Sequence, residues 1–365
     1  AVIVCVPTPL NAQHEPDLSY VLRTGEAIGR TLRRGQLIVL ESTTYPGTTR
    51  DDFLPAIERA HAAAGSADSG GTPPLQHGRD FFVAFSPERE DPGRTTHTTR
   101  TIPKLVGGLD DAGTQLAAAL YRRAVEHVVP VDSAETAEAA KILENVFRAV
   151  NIALVNELKV IFDAMGIDVW RVVRAAATKP FGFMPFYPGP GLGGHCIPVD
   201  PFYLSWKAAQ IGRPTRFIEL AGEINTGMPA LVVERAAAAL RARGRTDGLR
   251  GARVLVLGLA YKPDIDDTRE SPSFALIDLL RRAGAQVEYS DPHIPRTVPV
   301  RKHDLRMTSV DLTPASVASF DALLVATNHK AFDYALIARH ARLVIDTRDA
   351  LRAFEGAMGD RLVRA

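Results

Sequence analysis

Apolar residues gather in short unbroken runs set between amphipathic stretches. Residues 1–6, 36–41 and 81–85 are runs of the kind that strands buried on both faces of a parallel sheet require. Residues 18–32 and 51–64 carry helical spacing between them, and short apolar runs recur at 104–108 and 125–131. This alternation predicts a doubly wound α/β unit. From 133 to 165 the pattern changes: Leu143, Phe147, Val150, Leu154, Leu158 and Ile161 recur at steps of three and four, with no Pro or Gly before Gly166. At 1.5 Å per residue one helix of about 45 Å follows, longer than a single domain needs, so it joins two domains or forms a dimer spine. Helical spacing returns at 169–178, 203–211 and 217–240. After a basic, glycine-containing linker at 244–251, a second α/β unit is predicted, with strands at 253–257, 286–290, 322–327 and 343–346 and a helix at 273–283. The expected fold class is α/β, with two doubly wound domains joined by a long central helix and divisions at 1–131, 132–243 and 244–365.

Composition narrows the partners. With 46% hydrophobic and 23% charged residues and a formal net charge of +1, the chain has no single-sign field of the kind a nucleic-acid or membrane binder carries. No stretch reaches the roughly 18 apolar residues of a membrane span. Cys5 and Cys196 are the only cysteines. They sit in unlike segments far apart, which argues against a disulfide framework and fits a reducing cytoplasm. Residues 65–79, rich in Gly, Ser, Pro and Asp, read as an exposed surface insertion with no assigned role.

The densest chemistry lies in Gly189-Pro190-Gly191-Leu192-Gly193-Gly194-His195-Cys196-Ile197-Pro198-Val199-Asp200. Glycines let backbone pass close to a ligand, so this loop can wrap a substrate and carry the Cys196 thiol up to it. The competing reading is a tight turn around a small inert thiol. The aromatic and proline segment ahead of it, with Phe186 and Tyr187, suits stacking on a flat base and equally suits loop packing. Ser86-Pro87-Glu88-Arg89 leaves the carboxyl end of the 81–85 run, where open α/β sheets place their ligands. Lys141 and Asn145 lie four apart on one face of the long helix and on their own read as a solvated pair.

Taken in order, several motifs resemble those of the nucleotide-sugar 6-dehydrogenases, the NAD-dependent group that includes UDP-glucose, UDP-N-acetylglucosamine and UDP-N-acetylmannosamine dehydrogenases. They are Val6-Pro7-Thr8-Pro9-Leu10, Glu41-Ser42-Thr43-Thr44-Tyr45-Pro46-Gly47-Thr48, Ser86-Pro87-Glu88-Arg89, Lys141-Ile142-Leu143-Glu144-Asn145, the Gly-Gly-His-Cys loop, Gly258-Leu259-Ala260-Tyr261-Lys262-Pro263-Asp264 and Asp267-Thr268-Arg269-Glu270-Ser271-Pro272. The resemblance covers essentially the whole chain. It implies a first Rossmann domain for NAD, a long helix carrying a homodimer contact, and a second Rossmann-like domain for the UDP part. The family's amino-terminal Gly-x-Gly-x-x-Gly turn is not in this sequence, so the expectation is a first domain lacking its amino-terminal strands, roughly two βαβ units. The resemblance assigns the NAD site to the full-length protein; the alternative is a truncated, non-catalytic UDP-binding dimer module.

The family oxidises the C6 alcohol of a UDP-sugar to a carboxylate at the expense of two NAD⁺. On that pattern Cys196 captures the aldehyde as a thiohemiacetal that becomes a thioester. Lys141 and Asn145 would stabilise the oxyanion, Thr43 would hold a water, Glu88 would be the base for thioester hydrolysis, and Asp200 would assist the thiol or the water. Many members carry a second carboxylate where this chain has Pro92, which places the base duty on Glu88. Ser42 and Arg269 would touch NAD. Gly193, Gly194, Phe186, Tyr187, Lys262 and Arg348 would contact the UDP-sugar, and no metal is implied. Simpler readings stand beside three of these: Glu88 caps its next turn, Asp200 caps the helix near Pro201, and Arg269 pairs with Asp266. The segment from Lys179 to Pro201 most resembles the UDP-N-acetylglucosamine branch, with UDP-glucose and UDP-N-acetylmannosamine held open.

Overall fold

The computed structural model describes residues 1–11, 15–68, 73–90, 96–194, 197–299 and 303–365, with the backbone alone for 66–68. The chain forms two compact units, one of residues 1–147 with 199–218 and one of 148–198 with 219–365.

In the first unit, strands β1 (Val2–Val4), β2 (Gln36–Leu40), β3 (Phe81–Phe85), β4 (Lys104–Gly108) and β5 (Val128–Pro130) lie side by side in chain order. Parallel pairing sets Val4 beside Leu40 and Leu40 beside Phe85, whereas β4 runs antiparallel to β3, with Ala84 opposite Gly108. Ile38, Val39, Leu40, Val83, Ala84 and Phe85 are fully buried. That accounts for runs with no polar alternation: both sheet faces are covered. Helices α1 (Ser19–Arg30) and α2 (Leu54–Asp68) pack together on this unit. A third helix, α3 (Asp111–Tyr121), was not foreseen. Its alanine-rich sequence has no strong apolar stripe, and its start is fixed by Asp110, whose side chain accepts from Gly113 N.

The long helix is present as α4 (Ala134–Ala164), 31 residues and within one residue of expectation at each end. Its buried face is a different one from the expected stripe. Ile142, Ala149, Ala153 and Val155 are buried, while Leu143, Phe147, Leu154 and Ile161 are 66, 44, 49 and 45% exposed. The periodicity therefore marks an apolar face that the described chain leaves uncovered. Three further helices follow, α5 (Val169–Ala176), α6 (Asp200–Gln210) and α7 (Arg216–Ala242).

The second unit holds β6 (Arg253–Leu257), β7 (Gln286–Ser290), β8 (Ala322–Val325), β9 (Val344–Asp346) and β10 (Leu362–Arg364) in the order β10-β9-β8-β6-β7, with every pair parallel. Helices α8 (Pro272–Arg282), α9 (Pro314–Ser319) and α10 (Tyr334–His340) connect them. Because β7 pairs on one side of β6 and β8 on the other, the winding reverses beside β6, the place where such sheets open a crevice for ligands. The α/β fold class with two sheet-based units and a long central helix is as expected; among the described residues the reversal of winding lies in the second sheet. None of the described helices is long and apolar enough to cross a membrane.

Candidate active site

In the first unit one face of α4 is polar yet buried. Lys141 is 8% and Asn145 3% exposed, so the solvated-pair reading fails. Asn145 Nδ2 donates to Asp200 Oδ2 at 2.7 Å. Asp200 opens α6 but does not cap it; Val199 holds the cap position and makes no side-chain cap bond. Burial pushes the Asp200 carboxyl up to about 7, against the pull of the Lys141 cation and the Asn145 amide. A cation, an amide donor and a carboxyl poised near neutrality thus share one dry patch.

Loops at the carboxyl ends of the strands surround this sheet crest. The Ser42 hydroxyl accepts from Val6 N and donates to Val6 O, both at 2.8 Å, and so ties the loop after β2 to that after β1. Thr43 is half-buried, and its carbonyl accepts from Thr8 Oγ1 at 2.8 Å. The same loop is gripped from α4 by Glu138, which the sequence reading missed. Its fully buried carboxylate accepts from Gly47 N at 2.6 Å, Thr49 N at 2.9 Å and Thr49 Oγ1 at 2.6 Å, and burial still pushes it up to about 7. Spacing signals it in retrospect: Glu138, Lys141 and Asn145 follow at steps of three and four.

Glu88 is exposed and caps its own turn, accepting from Arg89 N at 2.7 Å and Glu90 N at 2.6 Å. Its other oxygen lies 3.7 Å from Lys104 Nζ, which is itself 3.0 Å from Glu41 Oε1. Arg89 pairs with Glu144 of α4 at 2.7 Å, fastening this turn one residue from Asn145. Pro92 lies outside the described residues, as do His195 and Cys196. The other cysteine, Cys5, has its Sγ 3.4 Å from Glu41 Oε2; burial and that carboxylate push the thiol up to about 11, so it stays protonated at neutral pH and is a poor nucleophile.

In the second unit the glycine loop is pinned by buried asparagines. Asn225 Nδ2 donates to Ala149 O at 3.1 Å, Asn156 Nδ2 to Asn225 Oδ1 at 2.9 Å, and Asn156 Oδ1 accepts from Gly189 N at 3.0 Å. A Cβ at Gly189 would collide with the Arg348 guanidinium, and one at Gly193 would lie 2.7 Å from Tyr261 Cβ. Glycine is needed for close approach at Gly193, where the neighbour is the root of a side chain, whereas the guanidinium facing Gly189 could swing aside. Gly194 N donates to Arg269 O at 3.3 Å. The structure thus brings the glycine loop, the Tyr261-Lys262 turn and Arg348 together, although some 70 to 150 residues separate them in sequence. Arg348 Nε donates to Ala326 O at 2.9 Å, and burial lowers its pKa to about 10, leaving it a cation at neutral pH. Arg269 grips Asp267, at 2.6 Å, and not Asp266. Tyr187 stacks on Trp170 with centroids 5.6 Å apart and planes 13° off parallel, so one ring face serves loop packing; Phe186 is half-buried.

Two α/β sheet crests, one backed by a buried Lys-Asn-Asp cluster and one carrying basic side chains beside a glycine loop, are of the kind at which open α/β sheets bind nucleotides. Family models match three stretches: the NAD binding domain over 1–125, the central domain over 135–227 and the UDP binding domain over 255–353. The chain belongs to the UDP-glucose/GDP-mannose dehydrogenase family and is an NAD-dependent oxidoreductase. It is 38% identical over 332 residues to the UDP-N-acetyl-D-glucosamine 6-dehydrogenase of Pseudomonas aeruginosa, covering 90% of this chain and 74% of that protein. Over 358 residues it is 35% identical to a UDP-N-acetyl-D-mannosamine dehydrogenase of Salmonella typhimurium, covering 96% and 82%. The solved UDP-D-ManNAc dehydrogenase of Pyrococcus horikoshii superposes with a TM-score of 0.81 at 32% identity, covering 95% of this chain and 77% of that one.

Proposed function

We propose that this protein oxidises the C6 alcohol of UDP-N-acetylglucosamine to the uronate. The observation that carries the reading is the Lys141-Asn145-Asp200 cluster, because a cation and an amide donor in a water-poor patch stabilise a developing alkoxide far more than they would in water. The support for this sugar is the 38% identity to a UDP-N-acetylglucosamine enzyme together with the residues of the 179–201 segment. NAD suits the first unit: the carboxyl ends of β1, β2 and β3, the first two tied together by Ser42, form the crest at which open α/β sheets bind dinucleotides. When bound, NAD supplies the hydride acceptor.

The chain's own groups do the rest. Lys141 and Asn145 hold the alkoxide oxygen at C6. Asp200, poised near 7, takes and returns a proton at neutral pH. Cys196 adds as thiolate to the aldehyde carbon as a thiohemiacetal, which prevents its escape; loss of a second hydride to a second NAD⁺ would turn this into a thioester, and Glu88 with Thr43 directs the water that cleaves it. Lys262 and Arg348 bind the UDP-sugar, with Gly193, Gly194 and the Phe186-Tyr187 pair shaping its site, and Ser42 and Arg269 are the residues assigned to NAD. The uncovered stripe Leu143, Phe147, Leu154 and Ile161 supports a homodimer along α4, and the two cysteines outside any disulfide framework suit the cytoplasm.

Two outcomes test this in the natural protein. Two NADH are expected per molecule of UDP-N-acetylglucosamine, with higher kcat/KM than for UDP-glucose or UDP-N-acetylmannosamine; one NADH per sugar, or full conversion to acid by Cys196→Ala, overturns the mechanism. Phe147→Glu combined with Leu154→Glu should lower the mass in sedimentation to that of a monomer.

A further inference from the structure

The crest of the second unit contains a buried ionisable pair that the functional reading leaves unused. Asp291, at the end of β7, directs Oδ2 to Leu259 N at 2.6 Å, Ala260 N at 3.2 Å and His329 Nε2 at 3.1 Å. Its Oδ1 accepts from His293 N at 2.8 Å and Ile294 N at 3.1 Å. His329, just beyond β8 and fully buried, receives Asp264 N on Nδ1 at 2.9 Å. A backbone N–H can only donate, so Nδ1 is the acceptor and the ring proton, assigned from these partners, lies on Nε2 facing Asp291. Burial works against the Asp291 carboxylate, but the bonds from His329, Leu259 and His293 outweigh it and hold the group below its usual range.

These contacts seize both ends of one turn. Leu259 and Ala260 begin the segment that leaves β6, Asp264 ends it, and Lys262 stands between them. Thr327 Oγ1 adds a bond to Ala260 O at 2.6 Å. Asp264 holds a left-handed φ of 62°, a conformation uncommon outside glycine that aspartate accepts more readily than most residues. We infer that Asp291 and His329 form a staple that sets the 258–264 turn in the one conformation in which Lys262 meets the nucleotide-sugar, and that both are positioning residues. This rests on the proposal above that Lys262 contacts that ligand.

The same region offers a rival reading, since ligand atoms of Asp264, His293 and His329 lie within 4.8 Å of one another, as a metal site would need. The hydrogen bonds oppose it. The one lone pair of His329 Nδ1 already faces Asp264 N, and the Asp264 carboxylate accepts from Lys330 N at 2.8 Å with Lys330 Nζ 3.3 Å away. A metal would have to break both arrangements.

The experiment measures UDP binding by calorimetry and steady-state NADH formation in the natural protein. For His329→Ala the staple predicts about tenfold weaker UDP binding and a matching rise in KM for the UDP-sugar, with kcat within about twofold and KM for NAD unchanged. His329→Gln, whose amide can still reach Asp291, should recover part of that loss, and it decides the matter if the alanine variant does not fold. Adding Lys262→Ala to His329→Ala should weaken binding less than additively. His293→Ala and added zinc should change nothing. Unaltered UDP affinity in both His329 variants, while Lys262→Ala is impaired, overturns the staple and leaves the functional reading standing. No effect of Lys262→Ala alone removes that reading instead. Zinc binding that is lost in His293→Ala would replace the staple with a metal site.

Discussion

Asp200 and Asp291 are both buried aspartates at the crest of an α/β sheet, one in each unit, yet they are held in opposite states. Asp200 accepts one hydrogen bond, from Asn145, and burial carries it to about 7. Asp291 accepts from four backbone amides and an imidazole, and falls below the usual carboxylate value. Burial alone does not set a carboxyl's charge; the balance between burial and the donors aimed at it does. Glu138 sides with Asp200: it is completely buried, and its three donors do not offset that burial, which still carries it to about 7. The first unit therefore keeps groups able to exchange protons at neutral pH, whereas the second has a fixed anion that shapes a loop.

The contrast breaks most visibly at Lys141. Removing the cation in Lys141→Met should lower kcat about 10²- to 10³-fold. It should also move the acidic limb of the residual rate upward from about pH 7, because Lys141 is what holds Asp200 down; an unmoved limb would mean that Asp200 does not govern the profile. Next in size, Asp291→Ala should cost about 3 kcal/mol in urea unfolding, since it strands four amides and an imidazole in a buried site. A loss under about 1 kcal/mol would remove the claim that its donors are matched to it.

The smallest effect is the most diagnostic, because the two aspartates should give opposite pH slopes. The folded value of Asp200 is raised above 3.8, so its contribution is full below that pH and is lost as pH rises through about 7. The melting temperature of Asp200→Asn relative to the natural protein should therefore climb between pH 4 and 7. The folded value of Asp291 is lowered, so its contribution is full above 3.8 and disappears as pH falls through the depressed value. Asp291→Asn should consequently lose ground as pH rises through the depressed value toward 3.8. Parallel slopes for the two variants would dissolve the comparison.

The amino-acid sequence alone determined the elements whose burial is one-dimensional. The runs that became β2, β3 and β6 and the uninterrupted stretch that became α4 were legible because a strand covered on both faces and a helix without breakers leave local patterns. The helices α3, α9 and α10 were not, being short and marked mainly by their caps at Asp110, Thr313 and Asp333. Motif order pointed to Lys141, Asn145 and Asp200, but only tertiary structure decided that the lysine is buried, that Asp200 faces Asn145 55 residues away rather than capping α6, and that Arg269 takes Asp267. Glu138 was marked only by its helical spacing to Lys141 and Asn145, and the Asp291–His329 staple carried no local signal. A polar group's role follows from which donors the fold gathers around it, and those come from segments that no window along the chain contains.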